Sequence, residues 1–330
     1  MSQARWARAF WPSCWCAMLN IQRILLPVDF PNASLRVVHQ AATLARHFHS
    51  EIVMLHVAAA QSQAGRGVPT DDTEIAAQDM LAEILREAGK NQDQSLRPEL
   101  AGLAIRPVLG KGDPARAIVQ TAQVEKADLI MMPSHGSTFD QFLLGSVTAK
   151  VLDGTECPVW TSAHLREPES PPTPDFPVLY PTQENGQVVK QQPVQKFAIH
   201  NILCAVDFGP RTQKTVSWAA QLGTEFGARL TIAHVTASVE LLGPGGSYVD
   251  QKWKRELVSD AFQRIATLQQ RMGTSAEVFI GSGDVPKVLS QAAKQANADL
   301  LVIPCYPYGG NLRMNGYAII CAMPTPVLSV

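Results

Sequence analysis

The sequence predicts an α/β protein of two doubly wound, Rossmann-like domains, each with a five-stranded parallel sheet. Three observations lead there. Apolar runs alternate with helix-period segments through the first half of the chain, and such alternation gives parallel strands joined by right-handed crossover helices. The landmarks of that half return in the second half in the same order. The length, 330 residues, suits two domains of roughly 100 to 200 residues each.

In the first half the pattern predicts strands over 22–28, 51–57, 103–108, 128–132 and 158–162, with helices over 33–48, 73–89, 114–125 and 146–153. The first strand, ILLPVDF, is an apolar run that ends in an acid, Asp29. An acid there sits at a strand's carboxyl end, where open parallel sheets bind ligands at the point of strand-order reversal. Asp113-Pro114 marks a helix start, since Asp caps the free N–H groups and Pro suits the first helical position. Lys111, in the same GKGDP turn, reads as a solvated turn lysine because no Gly-x-x-x-x-Gly-Lys-Ser/Thr loop surrounds it.

Ala127 to Met132 reads as a buried parallel strand and runs into PSHGSTFDQFLLGSV. Gly136 frees the backbone after that strand and Gly145-Ser146 opens the next helix. The N–H groups at a helix start lack intrahelical acceptors and lie at the positive end of the dipole, so they suit an anion such as phosphate.

The duplication is visible in register. ILLPVDF ending near Asp29 returns as ILCAVDF near Asp207, an offset of 178. GKGDP at Gly110 returns as GSGDV at Gly281, and ADLIMMPS at Ala127 as ADLLVIPC at Ala298, both offset by 171. CPVW at Cys157 returns as TPVLS at Thr325, offset by 168. Repeats of this length are whole domains rather than solenoid units. The expected organisation is an extension over 1–17, a first domain over 18–163, a linker rich in Pro, Gln and Glu over 164–196, and a second domain over 197–330.

Taken together, the acid after strand one and the glycine-rich turn after strand four resemble the universal stress protein family, over most of the chain and twice. Its nucleotide-binding members carry that acid and a Gly-x-x-Gly-(nine)-Gly-Ser/Thr loop. The resemblance implies ATP or a related adenine nucleotide as ligand, with Mg²⁺ or Mn²⁺ bridging its phosphates through few protein ligands. It places Pro27 and Val28 beside the adenine, Asp29 beside the adenosine and Val57 against the base. Met132, Ser134, His135, Gly136, Gly145, Ser146 and Val147 form the turn around the phosphates. Read without the resemblance, Asp29 is a helix cap or solvated acid, and His135 a solvated or packing residue. Two departures stand out. Pro133 occupies the first glycine of the loop, removing an N–H donor, and eight residues separate Gly136 from Gly145 where the family has nine.

Copy two departs further. Pro133, Ser134, His135 and Gly136 align with Pro304, Cys305, Tyr306 and Pro307, and Gly145-Ser146 with Arg313-Met314. The phosphate turn is lost and Asp207 reads as a structural remnant. The expected role of copy two is that of a pseudo-dimer partner within the chain, since PVWTS and PVLSV form apolar sheet edges that need cover. The family pairs subunits through the corresponding strand, and further association into a homodimer is left open.

Several classes are set aside. A net charge of −1 and the lack of a basic stripe argue against nucleic acid. Six cysteines and eight histidines show no metal-ligand spacing and no disulfide framework, which fits a reducing, cytoplasmic setting. Arg5 and Arg8 ahead of an apolar run imitate a signal peptide, but Pro12 interrupts it and Met18 offers an alternative start; no membrane span is expected. No triad, paired carboxylates or activated nucleophile appears, so no catalytic residue is assigned. The sequence therefore predicts a regulatory nucleotide-binding protein with an unidentified protein partner. The alternatives are a nucleotide-free interaction module, a slow ATPase, and an enzyme such as an ATP pyrophosphatase or a flavin carrier, whose phosphate loops are not found.

Overall fold

The structure is a computed structural model and describes residues 19–28, 35–58, 100, 102–134, 144–162, 198–236, 251–306 and 313–330. The predicted helix over 73–89 lies outside these residues, as do the extension over 1–17 and all of the predicted linker. The compact units do not simply follow the repeats. One comprises Asn20–Ile199 with Cys305–Val330, and the other is built on His200–Pro304.

The first unit holds β1 (Arg23–Pro27), α1 (Leu35–Phe48), β2 (Glu51–Ala58), β3 (Ile105–Lys111), α2 (Pro114–Val124), β4 (Leu129–Met132), α3 (Ser146–Gly154) and β5 (Val159–Thr161). Its strands run in the order β3-β2-β1-β4-β5, and all four neighbouring pairs are parallel. The order reverses between β1 and β4, which is the switch point the alternation predicts. Leu25, Val53 and Ile130 are fully buried; parallel strands covered by helices on both faces read as unbroken apolar runs for this reason. Trp160 of β5 is buried and donates its indole N–H to the Gln40 amide oxygen at 3.0 Å, so its polar atom stays satisfied inside the core.

The second unit repeats the plan with β6 (Asn201–Ala205), α4 (Thr212–Phe226), β7 (Arg229–Thr236), α5 (Gln251–Met272), β8 (Glu277–Ser282), α6 (Val285–Gln295) and β9 (Leu300–Ile303). Here the order is β9-β6-β7-β8, again parallel. The last two elements, α7 (Arg313–Ala322) and β10 (Val327–Ser329), belong to the first unit. β10 pairs antiparallel with β5, Leu328 opposite Trp160. The two apolar edges that the sequence marks as needing cover are thus paired with each other, and that unit's sheet is mixed at this one junction rather than wholly parallel.

Repeated residues do repeated jobs. Asp128 accepts the N–H groups of Gln22 and Arg23 at 2.8 and 2.9 Å, and Asp299 accepts those of His200 and Asn201 at the same distances. Each ADL motif thereby ties the start of one strand to its neighbour. In the Gly-x-Gly-Asp turns, Asp113 caps α2 through the Arg116 N–H and Asp284 caps α6 through the Lys287 N–H. The second glycine of each, Gly112 at φ +92° and Gly283 at φ +129°, occupies a conformation that other residues rarely adopt.

Candidate functional site

The carboxyl ends of β1, β2 and β4 and the start of α3 meet at one edge of the first unit's sheet, and each is fixed by hydrogen bonds. Beyond β1, Val28 is buried and donates its N–H to the Leu55 carbonyl at 2.8 Å. Its own carbonyl faces His56 Nδ1 at 3.1 Å. A carbonyl only accepts, so Nδ1 carries the proton. On β2, Val57 lies 3.1 Å from where a Cβ on Gly110 would stand, so this glycine admits the valine to the end of the sheet.

Met132 ends β4, buried, and the chain is then clasped twice to the start of α3. The Pro133 carbonyl accepts the Thr148 hydroxyl at 2.9 Å. The carbonyl of the fully buried Ser134 accepts the Gly145 N–H at 2.9 Å. These bonds set the mouth of the loop whatever its length, and they commit one N–H that an anion could otherwise use. Gly145 sits at φ −56°, ψ 136°, a conformation open to any residue, so glycine's left-handed freedom is not what the position requires. From Ser146 onward, α3 presents first-turn N–H groups with no intrahelical acceptors. Acidic residues are absent from that turn.

Of the residues the sequence singles out, Pro27, Val28, Val57, Met132, Ser134, Gly145, Ser146 and Val147 are therefore brought to one edge. Asp29, His135 and Gly136 lie outside the described residues. Sequence reasoning passes over His56. Its signal is that the pair His56-Val57 recurs as His234-Val235 at the offset of the two acids. In copy two His234 Nδ1 faces the Val206 carbonyl at 2.8 Å, and burial, foremost, pushes its imidazole below the ordinary value.

Copy two differs where its sequence does. Asp207 accepts the Gly209 N–H at 2.8 Å and the Thr212 hydroxyl at 3.0 Å, which makes it a clasp on the β6–α4 turn. Cys305, at the position of Ser134, donates its N–H to the Val330 carbonyl at 2.9 Å. Arg313 begins α7 where Gly145-Ser146 opens α3. The thiol of Cys204 is fully buried and held well above its ordinary pKa by desolvation, as a small apolar core group would be. No group of three His, Cys, Asp or Glu able to hold a metal occurs among the described residues, and no described helix is long and apolar enough to cross a membrane.

Comparison with known proteins agrees with the residues. A universal stress protein of Methanocaldococcus jannaschii is 30% identical over 141 residues, 42% of this chain and 79% of that protein. Universal stress protein A homolog 2 of Coxiella burnetii is 26% identical over 143 residues, 43% of this chain and 94% of that protein. The crystal structure of a universal stress protein from Archaeoglobus fulgidus covers 94% of this chain and 96% of its own with a TM-score of 0.59 at 19% identity, a likeness of fold. The model of the universal stress protein family matches residues 20–162 and again 198–311, so the chain belongs to the universal stress protein family, with two copies of its domain in tandem.

Proposed function

We propose that the chain is a regulatory protein that binds ATP or a related adenine nucleotide in copy one, and that copy two acts as its pseudo-dimer partner within the chain. The observation that supports this most directly is the double clasp of Pro133 to Thr148 and Ser134 to Gly145. It holds the start of α3 at the switch point, where a nucleotide's phosphates meet a helix N-terminus. Val28, Val57 and Met132 supply apolar walls for a purine, and Ser146 and Val147 supply N–H donors. Asp29, His135 and Gly136 complete the reading. A divalent metal, Mg²⁺ or Mn²⁺, would be carried by the phosphates. The role is one of binding, in the cytoplasm and toward a protein partner, with any hydrolysis slow and incidental.

The test is calorimetric titration of ATP with Mg²⁺ into the full chain and into a Gly145→Asp, Ser146→Ala variant. The φ and ψ of Gly145 accept an aspartate, which is also a good helix cap, so the variant keeps its fold while opposing a phosphate. One saturable site per chain, lost in the variant, supports the proposal. A second reading, a nucleotide-free interaction module, is favoured by Pro133, by the eight-residue spacing and by the Gly145 N–H already committed to Ser134. Absence of binding at millimolar ATP would select it.

A further inference from the structure

We propose that the unit built on His200–Pro304 carries a separate site for small polyphosphate-bearing anions, in the groove between the β6–α4 turn and α5. The groove encloses about 530 Å³, within the range of small-molecule sites. It is lined by Phe208 from the turn, Gln213 from α4, and Asp260, Arg264, Thr267 and Arg271 from α5.

Phe208 stands at φ +58°, where a bulky residue is strained. Its ring has two close neighbours. The Arg264 guanidinium lies 4.1 Å from the ring centroid, and the His234 ring lies 4.4 Å away. The turn beneath is fixed by the Asp207 clasp on Gly209 and Thr212. A guanidinium laid on an aromatic face has its plane set before any ligand arrives, while its edge donors remain available in the fork that matches phosphate.

The second cation follows seven residues later. Arg271 lies two helical turns from Arg264, roughly 10 Å along the axis, and is exposed with no ion-pair partner among the described residues. Asp260 is the carboxylate of the groove. It stands 3.8 Å from Arg264 in a largely exposed i,i+4 pair, the kind of pair that contributes little. Among the side chains that line the groove two guanidiniums stand against one carboxylate, with the Asp207 carboxylate tied into the turn beneath by Gly209 and Thr212, and the spacing of the guanidiniums suits a ligand with several anionic groups in line. Gln213 and Thr267 add neutral donors.

The experiment titrates sodium tripolyphosphate into the full chain carrying Gly145→Asp and Ser146→Ala, so that the proposed copy-one site does not contribute, and repeats it with Arg264→Gln and Arg271→Gln added. The expected result is one saturable site whose affinity falls by about tenfold or more without the two charges, as for loss of charge-assisted bonds. Phe208→Gly removes the platform while relieving its backbone strain, and is expected to weaken binding with the fold intact by circular dichroism. Citrate serves as the carboxylate comparison. No saturable binding, equal affinity in the glutamine variants, or citrate binding as tightly as tripolyphosphate overturns the proposal.

Discussion

At the residue scale, the twin histidines show how one side chain shapes this edge of the sheet. His56 and His234 each hold the carbonyl of the residue after a strand, Val28 and Val206, and in copy two this fixes the start of the turn that carries Asp207. His234 also backs Phe208. Burial lowers its pKa below the ordinary value of 6.5, so the unfolded chain takes up a proton first as pH falls. Stability from the neutral ring is full above about pH 6.5, declines as pH drops toward the lowered folded value, and then levels off. His234→Asn keeps a donor near Nδ1 and cannot titrate. Thermal melting between pH 8 and 5 is expected to show the wild type losing stability on acidification more steeply than the variant. Parallel curves would rule the histidine out as the cause.

At the element scale, the Gly-x-Gly-Asp turns join strand to helix in both copies and divide their labour. The second glycine supplies the positive φ and the acid caps the helix, whereas the first glycine is a matter of space. A Cβ on Gly281 would stand 2.3 Å from Val288 Cγ1, while one on Gly110 meets nothing nearer than 3.1 Å. Gly281→Ala is therefore expected to destabilise by about 1–3 kcal/mol through overpacking, and Gly110→Ala by less, in urea unfolding monitored by circular dichroism. Equal costs would contradict the packing argument. Asp284→Ala, which removes the cap, is expected to cost about 1 kcal/mol. These elements were legible because glycine, aspartate and proline write their backbone needs into the sequence. The start of α3 at Ser146 was legible for the same reason. The predicted strand over 103–108 is found later, at Ile105–Lys111, because its end is set by pairing with β2 out to Ala58 and Lys111, a tertiary fact. The Ser134–Gly145 clasp was not legible either: a backbone pair has no side-chain signature.

At the scale of the whole molecule, matched landmarks in the same order exposed the duplication and the apolar edges PVWTS and PVLSV pointed to their pairing, but neither could say that α7 and β10 settle in the unit of copy one. Offsets compare a segment with its twin and carry no information about its neighbours. What holds the segment there is specific. Leu328 is buried opposite Trp160, and the Thr161 hydroxyl reaches the Val327 carbonyl at 3.2 Å. The Tyr317 hydroxyl donates to the Ala149 carbonyl at 3.0 Å and contacts the Asp153 carboxylate. Both partners lie on α3, the helix whose first turn is the candidate phosphate site, so the end of copy two braces the element that copy one would use to bind. A chain ended at Ala322 loses β10 and leaves β5 with an open apolar edge, which a sheet tolerates poorly. The expected outcome is a lower melting temperature together with concentration-dependent association in sedimentation velocity, as exposed edges pair between molecules. Tyr317→Phe is milder, because it removes the hydroxyl and keeps the ring. It is expected to cost about 1 kcal/mol in stability and to weaken nucleotide binding in the calorimetric titration, because α3 loses its brace. A truncated chain that stays monodisperse at unchanged melting temperature would mean that β5 needs no partner strand, and the pseudo-dimer role of copy two would lose its physical basis.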